Sequence, residues 1–209
     1  MTNPANFWDA RFSQPDYLFG TEPADFLIRH IHFLPPGSRV LCIADGEGRN
    51  SVWLAGQGKD VVAMDGSGVA LDKARALAAR KGVSVDYRQG DVALWDWDAE
   101  PFDAVVGIFF QFLTPAARAL VFAGLDRAIK PGGLLMLHGY APRQVGYGTG
   151  GPPHSENMYD LALLNDAFPG YEVLFEADYD AEIDEGRGHS GRSALVDFIA
   201  RKSAPTEGF

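Results

Sequence analysis

The sequence predicts an α/β fold: a doubly wound, mostly parallel seven-stranded sheet with helices on both faces and a terminal antiparallel hairpin. Two observations predict it. Between residues 39 and 138, apolar runs of strand length alternate with segments of helical periodicity, the pattern of a parallel sheet. Near the end of the chain, only the stretch Asp180 to Gly191 connects the alternating segments 171–179 and 194–200. That stretch is too short for a helical crossover, so these two strands are expected to be antiparallel neighbours.

Length and composition limit the architecture and the classes of function. The 209 residues, 46% of them apolar, predict one domain over 1–209, with a helical arm or lid at 1–36, a core at 37–140 and a closing region at 141–209. A formal net charge of −10 argues against a nucleic-acid partner. The one cysteine, Cys42, excludes a disulfide framework and a zinc cluster within the monomer, and no metal site is expected. Residues 1–6 lack the features of a signal peptide and no apolar run reaches about 18 residues, so we expect a cytoplasmic protein without a membrane partner.

The N-terminal arm is predicted from its aromatic residues and prolines. A short amphipathic helix is expected over 5–13, a loop over 14–22, and a second helix that Pro23 opens and 35–37 ends. The aromatic density of the arm leaves two interpretations open: a hydrophobic lid packed on the core, or a partial cover for a bound ligand.

The core elements follow in order. Strands are expected at 39–44, 59–64, 83–87, 102–108 and 134–138, and helices at about 49–57, 67–81 and from Pro115 to Ala128. Gly82 stands at the expected end of the second core helix, and Thr114 is the expected N-cap of the third. The segment Lys130-Pro131-Gly132-Gly133 predicts a turn into the fifth strand.

The closing region begins with a loop over 139–155, rich in glycine and proline, which is either a plain connection or a mobile lid. A helix at 160–168 and the two strands of the hairpin complete it.

Ligands of a doubly wound sheet bind outside the carboxyl ends of its strands. There, Gly46-Glu47-Gly48 forms a turn that lets a ligand approach backbone N–H groups, and Asp65 stands 19 residues after Gly46. That spacing suits a carboxylate that accepts hydrogen bonds from the ribose hydroxyls of an adenosine-containing ligand. These two features fit both a nicotinamide dinucleotide and S-adenosylmethionine. Ser51 in place of a third glycine, and the closing hairpin, favour S-adenosylmethionine.

The combined motifs resemble those of class I S-adenosylmethionine-dependent methyltransferases. The motifs are the glycine turn 44–48, Asp65, Gly90-Asp91, Phe102-Asp103-Ala104-Val105 and Lys130-Pro131-Gly132-Gly133. Three further segments resemble the small-molecule group typified by the tellurite-resistance (TehB-type) and thiopurine methyltransferases. These segments are the arm from Trp8 to Pro23, Gly46-Glu47-Gly48-Arg49-Asn50, and Gly186-Arg187-Gly188-His189.

The resemblance implies a cofactor-binding core at 37–140 and a role for each matching residue. Ala44, Asp45 and Gly46 would line the methionyl group of S-adenosylmethionine, Asp65 would bind the ribose, and Gly66 would border the adenosine. Asp91 and the backbone of Val92 would meet the adenine amino group, and Ile108 and Phe109 would lie near the sulfonium. Trp8, Arg11 and Tyr17 would close over the cofactor, with Arg11 a candidate partner for its carboxylate.

The first strand departs from the family pattern. Cys42 and Ala44 stand where the family usually has Asp and Gly, and Asp45 stands where it has a small residue. Either Asp45 replaces the missing acid, or the methionine end of the cofactor is held differently.

Methyl transfer from a sulfonium needs mainly positioning and a water-poor pocket. A nearby cation would favour the ionised form of a thiol acceptor, and Arg187, His189 and Arg192 in the hairpin are the catalytic candidates. His138, Tyr147 and His154 are weaker candidates for substrate contact or proton transfer.

The main hypothesis is methylation of a small thiol, selenium or tellurium compound by a monomer or dimer, with S-adenosylhomocysteine as the cofactor product. The alternatives are N-, O- or C-methylation of a small metabolite, a non-catalytic protein that binds S-adenosylmethionine, and a nicotinamide-dependent oxidoreductase.

Overall fold

A seven-stranded sheet organises the computed structural model, which describes residues 4–204; residues 1–3 and 205–209 of the predicted 1–209 domain lie outside the described residues. The strands are β1 (Arg39–Ile43), β2 (Asp60–Asp65), β3 (Asp86–Gln89), β4 (Phe102–Ile108), β5 (Ile129–Tyr140), β6 (Tyr171–Asp184) and β7 (Ser190–Lys202).

The strand order is β3-β2-β1-β4-β5-β7-β6. β1 to β5 are parallel to one another, whereas β7 runs antiparallel to both β5 and β6. The doubly wound, mostly parallel sheet with a terminal antiparallel hairpin is therefore confirmed.

Helices cover both faces of the sheet, as predicted. They are α1 (Pro4–Phe12), α2 (Asp25–His30), α3 (Arg49–Gly56), α4 (Gly68–Lys81), α5 (Pro115–Ala128) and α6 (Leu161–Ala167). One core, which includes Leu41, Val105 and Leu135, packs against α5 and α6. The other, which includes Val40, Val106 and Met136, packs against α2 and α3. This alternation explains why the central strands are apolar on both sides.

Several boundaries differ from the sequence-based prediction. The arm helix expected to open at Pro23 begins at Asp25 and ends at His30, and a 3-10 turn over Ile31–Phe33 follows it. β3 begins at Asp86 rather than residue 83, because Gly82 turns in the left-handed region and the N–H of Val83 donates back to Ala78 at the end of α4. The predicted turn at 130–133 lies inside β5 as an irregularity in its pairing with β4, where Gly132 has φ +77°. The hairpin strands extend to Asp184 and from Ser190, which leaves only residues 185–189 as the hairpin tip.

The region predicted as a glycine-rich loop is attached to β7. It contains short 3-10 turns at Pro142–Gly146 and Ser155–Asn157. The fully buried Gln144 accepts a hydrogen bond of 2.7 Å from the N–H of Ala194, and its amide donates to Thr149. The loop is therefore built around an internal hydrogen-bonded side chain. No helix among residues 4–204 has the length and apolar character needed to cross a membrane.

Candidate cofactor and acceptor site

Three residues at the turn after β1 have left-handed backbone conformations. Ala44, Gly46 and Gly48 have φ of +48°, +61° and +87°. An ideal Cβ on Gly48 would lie 2.6 Å from the Cβ of Ala74, so glycine is required for α3 to begin against α4. Ala44 carries the strain of a left-handed conformation at the point where a ligand would meet the strand end.

Asp65, at the end of β2, is tied to this turn. Its carboxylate accepts 2.8 Å hydrogen bonds from the N–H groups of Gly46 and Ser67. Burial raises the pKa of Asp65, against the opposing effect of these amides. Each oxygen keeps a lone pair beyond the one its amide uses, so the carboxylate can still accept hydrogen bonds from ribose hydroxyls.

Asp45 faces the first turn of α3. Its carboxylate accepts hydrogen bonds from the hydroxyl and, at 3.3 Å, from the N–H of Ser51. Burial raises the pKa of Asp45 to about 7, and the neighbouring Asp65 adds to the effect. Cys42 is buried, and burial raises the pKa of its thiol well above the ordinary value. Asp45 is thus placed beside the turn, and Cys42 behaves as a small core residue.

The ends of β2 and β3 form the edge of the sheet where the adenine ring is expected. An ideal Cβ on Gly66 would lie 3.8 Å from the carbonyl oxygen of Gly90, so Gly66 leaves room for a planar ring at this edge. The corresponding position at Gly90 is filled, because a Cβ there would lie 2.9 Å from the ring of Trp95. Asp91 is exposed, and its carboxylate accepts a 2.9 Å hydrogen bond from Ala93, while Val92 is buried. Ile108 lines a small cavity behind the glycine turn together with Cys42 and Asn50. A buried carboxylate, a glycine turn and the room beside Gly66 together fit an adenosine-containing ligand.

The arm lies over the glycine turn. The ring of Phe12 approaches to 3.6 Å of the position of a Cβ on Gly46. Trp8 stacks on Phe12 with ring centroids 5.6 Å apart, and its ring meets Phe112 edge-on at 6.2 Å. The arm therefore spans from the end of β1 to the segment after β4.

Three side chains after Gly46 bind the N-terminal arm and the tip of the hairpin. Glu47, which is buried, accepts a 2.7 Å hydrogen bond from the N–H of Leu18 and pairs with Lys73. Asn50 accepts a 2.9 Å hydrogen bond from the N–H of Ala24. Arg49 forms a 2.7 Å ion pair with Glu185 at the hairpin tip. The sequence motifs predicted no individual role for these three side chains, although polar residues at 47, 49 and 50 beside a buried turn are a usable signal.

The arm and the hairpin tip touch through their backbones. The N–H of Gly188 donates to the carbonyl of Leu18 at 3.1 Å, and a Cβ on Gly186 would lie 2.5 Å from the backbone nitrogen of Gly20. Only glycine allows this approach. The two segments form one continuous cover, here called the arm–tip cover (residues 17–24 and 185–189).

Beneath the arm–tip cover, the ring of Phe109 is the centre of a packed group of aromatic and imidazole side chains, here called the Phe109 pocket. Phe109 follows β4 with φ +53°, an uncommon conformation for a bulky residue. Its ring centroid lies 4.1 Å from that of His189 and 4.7 Å from those of both His138 and Tyr140. This pocket lies at the carboxyl ends of β4 and β5.

Three of the six buried side-chain polar atoms without a hydrogen-bond partner among the described residues lie in or beside this group: Nη1 of Arg49, the hydroxyl of Tyr140 and Nδ1 of His189. Unpaired polar groups cost free energy when buried, so these atoms are available to pair with a bound ligand. Burial lowers the pKa of His189 to about 4, so the ring is neutral near pH 7. Nδ1 of His189 lies 3.9 Å from Glu185, beyond hydrogen-bond distance. For Glu185, burial alone would raise the pKa, but the Arg49 guanidinium at 2.7 Å outweighs it, and the pKa is lowered to about 2.

Comparison with known proteins connects this geometry to a family. Residues 40–133 match the family described as methyltransferase domain. An uncharacterized methyltransferase of Synechocystis is 31% identical over 105 residues, which are 50% of this chain and 48% of that protein. The chain thus spans about half the length of the curated relatives it matches.

Two solved structures share the fold over most of the chain. A structure from work on the conversion of a disulfide bond into a thioacetal group during echinomycin biosynthesis aligns with a TM-score of 0.78 and 18% identity, covering 98% of this chain and 94% of that one. TehB from Haemophilus influenzae aligns with a TM-score of 0.71 and 17% identity, covering 95% and 67%. Residues 40–133 therefore match a methyltransferase domain, and most of the chain has the fold that these two structures share. The match supports S-adenosylmethionine as the cofactor, in agreement with the sequence motifs.

The predicted cofactor residues lie in two regions, at the ends of the strands and in the N-terminal arm. Ala44, Asp45, Gly46, Asp65, Gly66, Asp91, Val92 and Ile108 lie at or behind the carboxyl ends of β1 to β4. Trp8 lies in the arm, where its ring stacks on that of Phe12. Arg11 is exposed and lies over the ring of Trp8, 5.0 Å from its centroid. Tyr17 faces α4, where its hydroxyl donates to the carbonyl of Lys73 and accepts from Arg80. Their individual contacts with the cofactor stay predictions.

The three predicted catalytic residues do not form one cluster in the methyltransferase domain. His189 is buried in the Phe109 pocket. Arg187 is exposed and pairs with Asp16 of the arm at 2.8 Å. Arg192 is exposed and pairs with Asp180 on β6 at 2.8 Å, over the ring of Tyr147. The buried cation beside the pocket is Arg49 at the start of α3.

Proposed function

We propose that the protein transfers the methyl group of S-adenosylmethionine to a small soft nucleophile: a thiol, or a selenium or tellurium compound. The residues that would hold the cofactor are the turn 44–48, Asp65, the Gly66 and Gly90-Asp91 strand ends, and Ile108. When bound, the cofactor supplies an electrophilic methyl group on a sulfonium. The protein then has to bind the acceptor, orient it and exclude water.

The observation that carries the proposal is the set of unpaired donors around Phe109. Arg49 supplies a buried positive charge, and Tyr140 and His189 supply neutral polar groups beside it. A cation close to a thiol or selenol stabilises its ionised form, which is the reactive nucleophile. The aromatic rings that surround these groups favour contact with a polarizable, weakly hydrated atom such as sulfur.

The cover over the pocket supports a small acceptor. The arm and the hairpin tip meet at backbone distance through Gly20 and Gly186, and Arg49–Glu185 joins the tip to the start of α3. A polymer substrate would need this cover to open widely, which favours a small-molecule acceptor. A small-molecule acceptor agrees with the group of methyltransferases that the sequence resembles.

Two further observations favour a sulfur acceptor over an amine. One of the structural neighbours belongs to work on a disulfide bond that becomes a thioacetal group, which is sulfur chemistry. The segment after β4, Ile108-Phe109-Phe110-Gln111, lacks the Asn/Asp-Pro-Pro-aromatic motif that many amino-group methyltransferases carry. We place the activity in the cytoplasm, with no nucleic-acid or membrane partner.

A panel of acceptors tests the proposal. Purified protein with S-adenosylmethionine is assayed for S-adenosylhomocysteine release with an aliphatic thiol, an aromatic thiol, a selenol, a phenol and a primary amine. Release with the thiols and the selenol, well above release with phenol and amine, is expected. Preference for phenol or amine would move the protein to O- or N-methylation, and no release with any acceptor would favour a non-catalytic role.

A further inference from the structure

A second buried polar group adjoins the Phe109 pocket and is not among the predicted cofactor-binding residues. His138 on β5 and Asp197 on β7 lie directly opposite each other in the sheet. Nδ1 of His138 is 2.6 Å from a carboxylate oxygen of Asp197, and both side chains are buried. A carboxylate only accepts hydrogen bonds, so Nδ1 carries the proton and Nε2 presents its lone pair.

Asp197 is held as an anion by its other neighbours. Arg29 of α2 donates to it at 3.1 Å, and the hydroxyl of Tyr179 on β6 donates at 3.2 Å. Burial alone would raise the pKa of Asp197, but His138 and Arg29 outweigh it and lower the pKa. The carboxylate therefore fixes the tautomer and the orientation of His138.

His138 faces the pocket. Its ring stacks on Phe26 at 5.1 Å and meets Phe109 edge-on at 4.7 Å. Among the described residues, the only hydrogen bond of the His138 side chain is the one between Nδ1 and Asp197. The nearby His30, 3.7 Å from Asp197, is instead enclosed by Phe26, Phe33 and Phe175.

On the basis of the proposed function, we infer that His138 is the general base that takes the proton of the acceptor, and that Asp197 is its positioning residue. The S–H or Se–H bond breaks and the proton passes to Nε2 of His138. The freed electron pair forms the new bond to the methyl carbon, and the sulfonium sulfur keeps the pair of the bond that breaks. The imidazolium then returns its proton to solvent, so one proton is released for each methyl group transferred.

The alternative is that the pair only joins β5 to β7. The two roles differ in how activity depends on the acceptor's own acidity. A general base matters for an acceptor that is protonated at the assay pH and has little effect on one that is already ionised. A structural pair would affect both acceptors equally.

The test uses the full chain at pH 7 with an aliphatic thiol and with an acidic aromatic thiol that is largely ionised at that pH. The variants are His138→Gln and Asp197→Asn, with His32→Gln as the control, because His32 is an exposed imidazole outside the pocket. We expect His138→Gln to slow methylation of the aliphatic thiol about a hundredfold and that of the ionised thiol less than about fivefold. Asp197→Asn is expected to show the same selectivity, and His32→Gln to match the wild type.

A readout independent of turnover accompanies the assay. The ¹⁵N shifts of the His138 ring in the free protein are expected to report an Nδ1–H tautomer that Asp197→Asn disturbs. Equal slowing of both thiols in His138→Gln, or no slowing, would overturn the inference while leaving the proposed function intact. Methylation of neither thiol by the wild type would contradict the proposed function itself, and the inference with it.

Discussion

Arg49 and Glu185 form a 2.7 Å ion pair between the first residue of α3 and the tip of the β6–β7 hairpin. Their side chains are 7% and 12% exposed, so the pair is largely removed from water. It connects the turn that faces the cofactor to the segment that covers the acceptor pocket. The arrangement of the cover therefore depends on charges at the cofactor turn.

Replacing Glu185 with Gln is expected to destabilise the protein by about 1–3 kcal/mol at pH 7, because the buried Arg49 loses its counter-charge. The pKa of Glu185 is lowered to about 2 in the folded state, below its ordinary value of 4.5. This contribution is present above about pH 4.5 and is lost as the pH falls toward 2, so the difference from the wild type should shrink over that window. Urea unfolding at several pH values measures it, with the exposed Glu182→Gln as control. A difference that is constant with pH would contradict the assignment.

Gly48→Ala tests the packing of the glycine turn. Gly48 and Gly58 both have positive φ, +87° and +75°, but only Gly48 is crowded, with Ala74 at 2.6 Å from the position of a Cβ. Ala at Gly58 should cost roughly 1–2 kcal/mol for the left-handed conformation alone. Ala at Gly48 should cost about 1–3 kcal/mol more, because α3 and α4 must separate. Equal losses in the free energy of unfolding would show that the turn tolerates a side chain there.

Asp65→Ala should weaken binding of S-adenosylhomocysteine at least about tenfold, because the carboxylate that would bind the ribose is removed and the N–H of Gly46 loses its acceptor. Asp72→Ala, an exposed carboxylate on α4, is the matched control and should bind like the wild type. Isothermal calorimetry gives both affinities, and circular dichroism checks folding. Wild-type affinity in Asp65→Ala would remove this residue from the ribose site.

Arg187→Ala and Arg192→Ala test the catalytic prediction made from the sequence. Each should lower turnover, on the order of tenfold, while the affinity for S-adenosylhomocysteine stays within about twofold. For Arg187, the physical reason is its 2.8 Å pair with Asp16, which joins the hairpin tip to the arm. Arg201→Ala, on the same strand as Arg192 but at its far end, is the control. Turnover equal to the wild type in both variants would remove these arginines from the active site.

The fold was predictable because its signals are local. Periodicity fixed the order of strands and helices, and the short connection before β7 required an antiparallel closing hairpin. Asp65 was identifiable because it lies at a strand end at a defined spacing from Gly46. Gly82, which ends α4, and Thr114, which caps α5, follow from backbone sterics and side-chain chemistry.

The pocket was less predictable because its parts meet only through tertiary contacts. Arg49 stands beside Glu185 although 136 residues separate them, and no periodicity signals that pair. The left-handed conformation of Phe109 is unusual for its residue type, so propensity argues against it. His138 and Asp197 are brought together only by the register of β5 against β7.

Calorimetric titration of the wild-type protein with S-adenosylhomocysteine, and in parallel with NAD, tests the central claim most directly. We predict saturable one-site binding of S-adenosylhomocysteine and no measurable heat with NAD at the same concentrations. Absence of S-adenosylhomocysteine binding together with tight binding of NAD would contradict the assignment of this site to methyl transfer.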